Sequence, residues 1–102
     1  MEIKAEHNEN EVKVYISGKL SFKDHPEFNS FIEEIAVSKK NVLFDISDLE
    51  QIDSAGIGMM FLSQKVMEEA GASITIRNPR GQVKRVFEIT SIEKQIPVIN
   101  DN

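Results

Sequence analysis

The chain of 102 residues contains no cysteine. Disulfides and thiolate metal sites are therefore excluded, and a reducing compartment is permitted. Only two histidines are present, His7 and His25. With scattered carboxylates around them, they lack the spacing of a metal ligand set. No stretch approaches the roughly 20 apolar residues that span a bilayer. The start, Met1-Glu2-Ile3-Lys4-Ala5-Glu6, has no apolar run after a basic segment and does not read as a secretory signal. The glycine patterns of dinucleotide and phosphate loops are missing. So is the Gly-x-Ser-x-Gly elbow of serine hydrolases, because Ile52 stands where its first glycine belongs. These absences lead us to expect a cytoplasmic, non-enzymatic protein without cofactor, metal or membrane partner.

What is there is an ordinary globular balance, 40% hydrophobic and 28% charged. The length suits one domain, residues 1–102, with room for a single core. Twelve Lys and Arg against seventeen Asp and Glu leave a net charge of −5, which argues against a nucleic-acid partner. The one basic cluster, Arg77, Arg80, Lys84 and Arg85, reads as a solvated helix face.

Hydrophobic periodicity divides the chain into alternating elements. Ile3–His7 and Glu11–Ile16 read as a hairpin around Asn8-Glu9-Asn10, with Val12, Val14 and Ile16 on one face and Gly18 ending the second strand. Asp24 is the expected N-cap of a first helix, with Pro26 near its first positions. Phe28, Phe31, Ile32, Ile35 and Ala36 form its apolar stripe, to about Ser38. Asn41–Ile46 reads as a buried central strand. Asp53 or Ser54 caps a second helix that stops at Gly71. Ser73–Arg77 is a strand, Pro79 breaks it, and a third helix carries Val83, Val86, Phe87 and Ile89. Ile96, Val98 and Ile99 suggest a last extended segment. The order β-β-α-β-α-β-α-β predicts an α/β fold, a mixed sheet of about four or five strands with helices packed against it.

The junction of strand and second helix is where chemistry belongs, since free N–H groups and the helix dipole favour negative charge there. Ser54 sits at that junction, and on residue type alone it reads as a helix cap. On a wheel of 3.6 residues per turn, Ala55, Met59, Leu62, Val66 and Ala70 share the expected core face, with Met60 and Met67 beside it. Ser54, Ile57, Gly58, Phe61 and Lys65 fall on the other side, so Ile57 and Phe61 read as a docking patch in line with the serine. Packing of Ile57 and Phe61 under the third helix is the competing reading.

The segments Phe44-Asp45-Ile46-Ser47-Asp48-Leu49 and Ile52-Asp53-Ser54-Ala55-Gly56-Ile57-Gly58 resemble the core signature of STAS domains, and more narrowly of bacterial anti-sigma factor antagonists. The likeness extends along the chain to Val83-Lys84-Arg85-Val86-Phe87 and Ile92. It implies a partner-switching signalling module: a serine kinase, often the anti-sigma factor itself, phosphorylates the residue after the Asp, and a PP2C-type phosphatase reverses this. Ser54 is then the phosphorylation site. Asp53, Ser54, Ala55, Gly56, Ile57, Gly58 and Phe61 are the implied partner contacts, on a protein that is a monomer when free. Many members carry a second hydroxyl where this chain has Ala55, so Ser54 stands alone. Leu20–Phe28 is similar to a branch found in two-component and biofilm signalling. The wider family also implies an alternative, a small-ligand module that senses nucleotides, with Gly56 and Gly58 at a helix start where anions bind.

Overall fold

The computed structural model describes residues 1–101. Strands β1 (Glu2–His7) and β2 (Glu11–Leu20) form the expected antiparallel hairpin. Its turn is held by Asn8, whose Oδ1 accepts the N–H groups of Asn10 at 2.9 Å and Glu11 at 2.8 Å. Helix α1 (His25–Ala36) leads to β3 (Asn41–Asp45) and then β4 (Leu49–Ile52). Helix α2 (Ser54–Glu69), β5 (Ile74–Arg77), α3 (Gly81–Thr90) and β6 (Val98–Ile99) complete the chain. The sheet order is β1-β2-β3-β5-β6, with β4 pairing the far end of β2. All pairs except β1 with β2 are parallel, as helical crossovers require.

The alternation seen in the sequence becomes rows across the sheet. Ala5, Val14, Phe44, Ile76 and Val98 stand side by side on one face. Val12, Val42 and Ile74 form the next row. Both rows join the buried cluster to which α1 contributes Phe28, Ile32 and Ile35, and α3 contributes Val83 and Phe87. The ring of Phe28 lies 6.2 Å from that of Phe44, which fixes α1 over the sheet centre. The opposite row, Lys4, Tyr15, Asp45, Arg77 and Ile99, lies on the polar face. There Arg77 Nε donates to Asp101 Oδ1 at 2.8 Å, and this hydrogen bond holds the guanidinium more firmly in its charged form.

Two local expectations are corrected. Gly18 does not end β2. The strand runs through it at φ 83°, and the register shifts between Gly18 and Lys19 where β2 passes from β3 to β4. Asp24 stands at the N-cap position of α1 with Pro26 in the first turn, as expected, but its side chain makes no capping hydrogen bond. Asp24 closes a short 3-10 turn, Phe22–Asp24, and its Oδ2 accepts the Ser21 N–H at 2.9 Å instead. Ile89, carried by α3 as expected, is 82% exposed. The strand missing from the expected order is β4, which extends the line of β3 after the Ile46–Asp48 turn.

Gly18 occupies the left-handed region that an L side chain enters at a cost of about 1 kcal/mol. Gly18→Ala is expected to lower the unfolding free energy by about that amount, read as a lower urea midpoint with an unchanged slope of the transition.

Candidate functional site

Strand β4 ends at Ile52, and Asp53 turns the chain into α2. Asp53 is extended, at φ −103° and ψ −178°, and its Oδ1 accepts the Gly56 N–H at 2.8 Å. It is the N-cap, which corrects the reading of Ser54 as the cap. Ser54 becomes the first helical residue, exposed to solvent, with its hydroxyl free of the capping role. The Asp53 N–H meanwhile donates to the Leu20 carbonyl at 3.3 Å, which ties the junction to the end of β2.

Gly56 is buried at the closest approach in this region. A Cβ there would lie 2.8 Å from the Leu20 carbonyl oxygen and 2.5 Å from Ile52 Cγ1. Gly58, one turn after Ser54, is exposed, and a Cβ there would meet nothing within 4 Å. The two glycines therefore serve different ends. Only Gly56 is demanded by the packing. Its N–H is already taken by Asp53, so the pair does not form an open anion nest.

The wheel is also corrected. Ile57 is 7% exposed and belongs to the core cluster, while Phe61 is half-buried against it. The side of α2 that carries them turns toward the segment after α3, where Gln64 Nε2 donates to the Gln95 carbonyl. Leu62, expected in the core, is 40% exposed. Met59, Met60 and Met67 are buried as expected, together with Ser63, whose Oγ donates to the Met60 carbonyl at 2.7 Å. The exposed residues of α2 are a stripe of Ser54, Gly58, Leu62 and Lys65, with Glu68 and Glu69 at its C-terminal end and Ala55 half-buried at its edge.

Beside Asp53 an open groove runs between β4 and the loop after β2, lined by Lys19, Phe22, Lys23, Gln51 and Gln82. Phe22 is 70% exposed on its rim. The sequence reading passed over Phe22 and Gln82, neither of which lies in a motif. Arg80, Lys84 and Arg85 are exposed on or next to α3, while Arg77 is engaged by Asp101 on the sheet. His7 lies at the end of the hairpin opposite Leu20, and His25 lies in the seam of α1 and α2 with Met59 and Leu62. Among the described residues no group of three or more His, Cys, Asp and Glu is placed to hold a metal ion, and no helix is long and apolar enough to cross a membrane.

The family model for the STAS domain matches residues 2–102. The chain belongs to the STAS family. It is 24% identical to the anti-sigma-B factor antagonist of Bacillus subtilis over 91 residues, covering 89% of this chain and 84% of that protein. An anti-sigma factor antagonist from Mycobacterium paratuberculosis superposes with a TM-score of 0.84 at 15% identity, over 95% of this chain and 83% of the other. The phosphorylated form of the Bacillus cell-fate determinant SpoIIAA superposes with a TM-score of 0.74 at 14% identity, over 99% and 92% of the two chains.

The unequal glycines are open to direct measurement. Gly56→Ala is expected to destabilise the STAS domain by about 1–3 kcal/mol, because a backbone carbonyl cannot move aside cheaply. Gly58→Ala is expected to stabilise it by about 0.5–1 kcal/mol through helix propensity alone. Equilibrium denaturation of the two variants reads both signs.

Proposed function

We propose that this STAS domain is a phosphorylation-controlled protein-binding switch with Ser54 as the acceptor. The observation that carries the proposal is the division of labour at the start of α2: Asp53 caps the helix, and Ser54 is left exposed at its first position. A phosphate on Ser54 brings about −1.5 to −2 charges. The helix end attracts it, but the Asp53 carboxylate repels it and already holds the Gly56 N–H. The modification therefore acts at the surface by changing the charge presented to a partner, and the fold needs no rearrangement. That phosphorylated SpoIIAA shares this fold is consistent with such a switch.

The likeness to anti-sigma factor antagonists supplies the partner class: a serine kinase of anti-sigma type, with a PP2C-type phosphatase for the reverse step. The unmodified domain, a cytoplasmic monomer, binds its target, and the phosphorylated form releases it. The contact surface is the stripe Ser54, Gly58, Leu62 and Lys65, bordered by Asp53, Ala55 and Phe61. Gly56 and Ile57 act from beneath by fixing the turn.

Phosphopeptide mapping of the protein isolated from its native host is expected to place acid-stable phosphate on Ser54. Ser54→Ala keeps target binding and abolishes phosphate uptake. Ser54→Asp weakens binding on the order of tenfold, about 1.4 kcal/mol. Phosphate found on Ser63, Thr90 or Ser91 with Ser54 unmodified refutes the proposal.

A further inference from the structure

Consecutive residues of a strand direct their backbone N–H groups to opposite sides. The Asp53 N–H turns toward β2 and reaches the Leu20 carbonyl. The polar groups of Ile52 therefore point the other way, to the side on which β5 would have to continue. Strand β5 stops short, since its pairing with β3 ends at Asp45 and Arg77. Gln82, in the first turn of α3, fills that place. Its Oε1 accepts the Ile52 N–H at 3.0 Å, and its Nε2 donates to the Ile52 carbonyl at 3.0 Å. One side-chain amide stands where a neighbouring strand would be.

We infer that Gln82 is the positioning residue of the Asp53–Ser54 turn, an assignment of role that rests on the reading of Ser54 as the acceptor. Three observations converge on it. Ile52 is the residue immediately before the cap, so fixing its peptide fixes the point from which Asp53 starts. The Ile52 side chain is also one of the two walls that leave no room for a Cβ at Gly56, the residue whose N–H Asp53 holds. Gln82 itself is half-exposed on the groove that Asp53 lines, so the hold is exchangeable in a way that a strand ladder is not. Without Gln82, the peptide of a residue only 3% exposed loses both partners on that side. Helix α3 therefore sets the posture of the serine turn through the backbone of Ile52.

Residue-resolved amide exchange on the full chain tests this assignment with two variants. In Gln82→Ala, protection at Ile52 and Gly56 is expected to fall about tenfold, while Val14, Phe44 and Ile76 keep theirs. In Gln82→Glu, the ionised carboxylate accepts the Ile52 N–H but faces the Ile52 carbonyl with no donor. Once protonated, its O–H supplies that donor. Protection at Ile52, normalised to the intrinsic exchange rate, is expected to rise as pH falls through the carboxyl titration, near the ordinary Glu value of about 4.3. Lys19, Lys23, Asp24 and Asp53 line the same groove and shift the midpoint, not the direction. Unchanged protection at Ile52 and Gly56 in Gln82→Ala overturns the inference. So does an even loss across the sheet, which marks general support, or a flat pH response in Gln82→Glu. Phosphate mapping of Ser54 is read separately: if the clamp holds but Ser54 is never modified, the functional reading falls and the positioning stands.

Discussion

The first turn of α2 is pressed onto the end of the sheet so closely that position 56 admits no side chain. Much of the site follows from that contact. It brings the Gly56 N–H to the Asp53 carboxylate, which then supplies the cap. It directs Ser54 outward, because the residue two before Gly56 cannot share its inward face at about 100° of helix per residue. It also sinks α2 between two flanks. Helix α1 takes one side of it, and the Gln64–Gln95 hydrogen bond marks the other. Burial on both flanks leaves only the narrow stripe that begins at Ser54.

Where the sheet is regular, its elements were legible in the sequence. Val12, Val14, Ile16, Ile74 and Ile76 alternate with more polar residues because one face of the sheet is covered and the other is not, and period two reports that difference directly. The stripe Phe28, Ile32, Ile35 reports the single buried face of α1 in the same way. β4 was not legible. It has four residues, Leu49-Glu50-Gln51-Ile52, buried only at its two ends, and a run that short carries no period. Gly18 misled for a related reason: a glycine at positive φ reads as a strand end, but here it allows a bend at which the strand changes neighbours.

At the site, residue type and position together pointed to the strand-to-helix junction, and the family signature singled out Ser54 within it. The wheel failed on Ile57 and Leu62. It assumes one buried face, whereas α2 is covered on two sides and its apolar residues spread round most of the circumference. A moment argument cannot choose between flanks that are both apolar. Gln82 lay beyond sequence reasoning altogether. A glutamine near a helix start looks solvated, and its partner Ile52 is 30 residues away. Only the early end of β5 explains why a polar side chain is needed there.

The two glycines of the motif allow one further step. Gly56 is explained by the fold, because a backbone carbonyl occupies the space a Cβ needs. Gly58 is not, since nothing stands near it and alanine suits a helix better by about 0.5–1 kcal/mol. A residue that weakens its own helix without relieving any contact within the chain makes sense if something outside the chain comes close. Gly58 lies one turn after Ser54 on the same exposed stripe, with Leu62 one turn further. In the proposed reading, a partner surface seated there reaches the α2 backbone at Gly58 and an apolar side chain at Leu62, with the serine hydroxyl at its margin. A phosphate placed at that margin adds charge one helical turn from the close approach at Gly58. In the proposed reading, the position of Ser54 at the edge of a tightly fitting surface is what makes phosphorylation an effective switch.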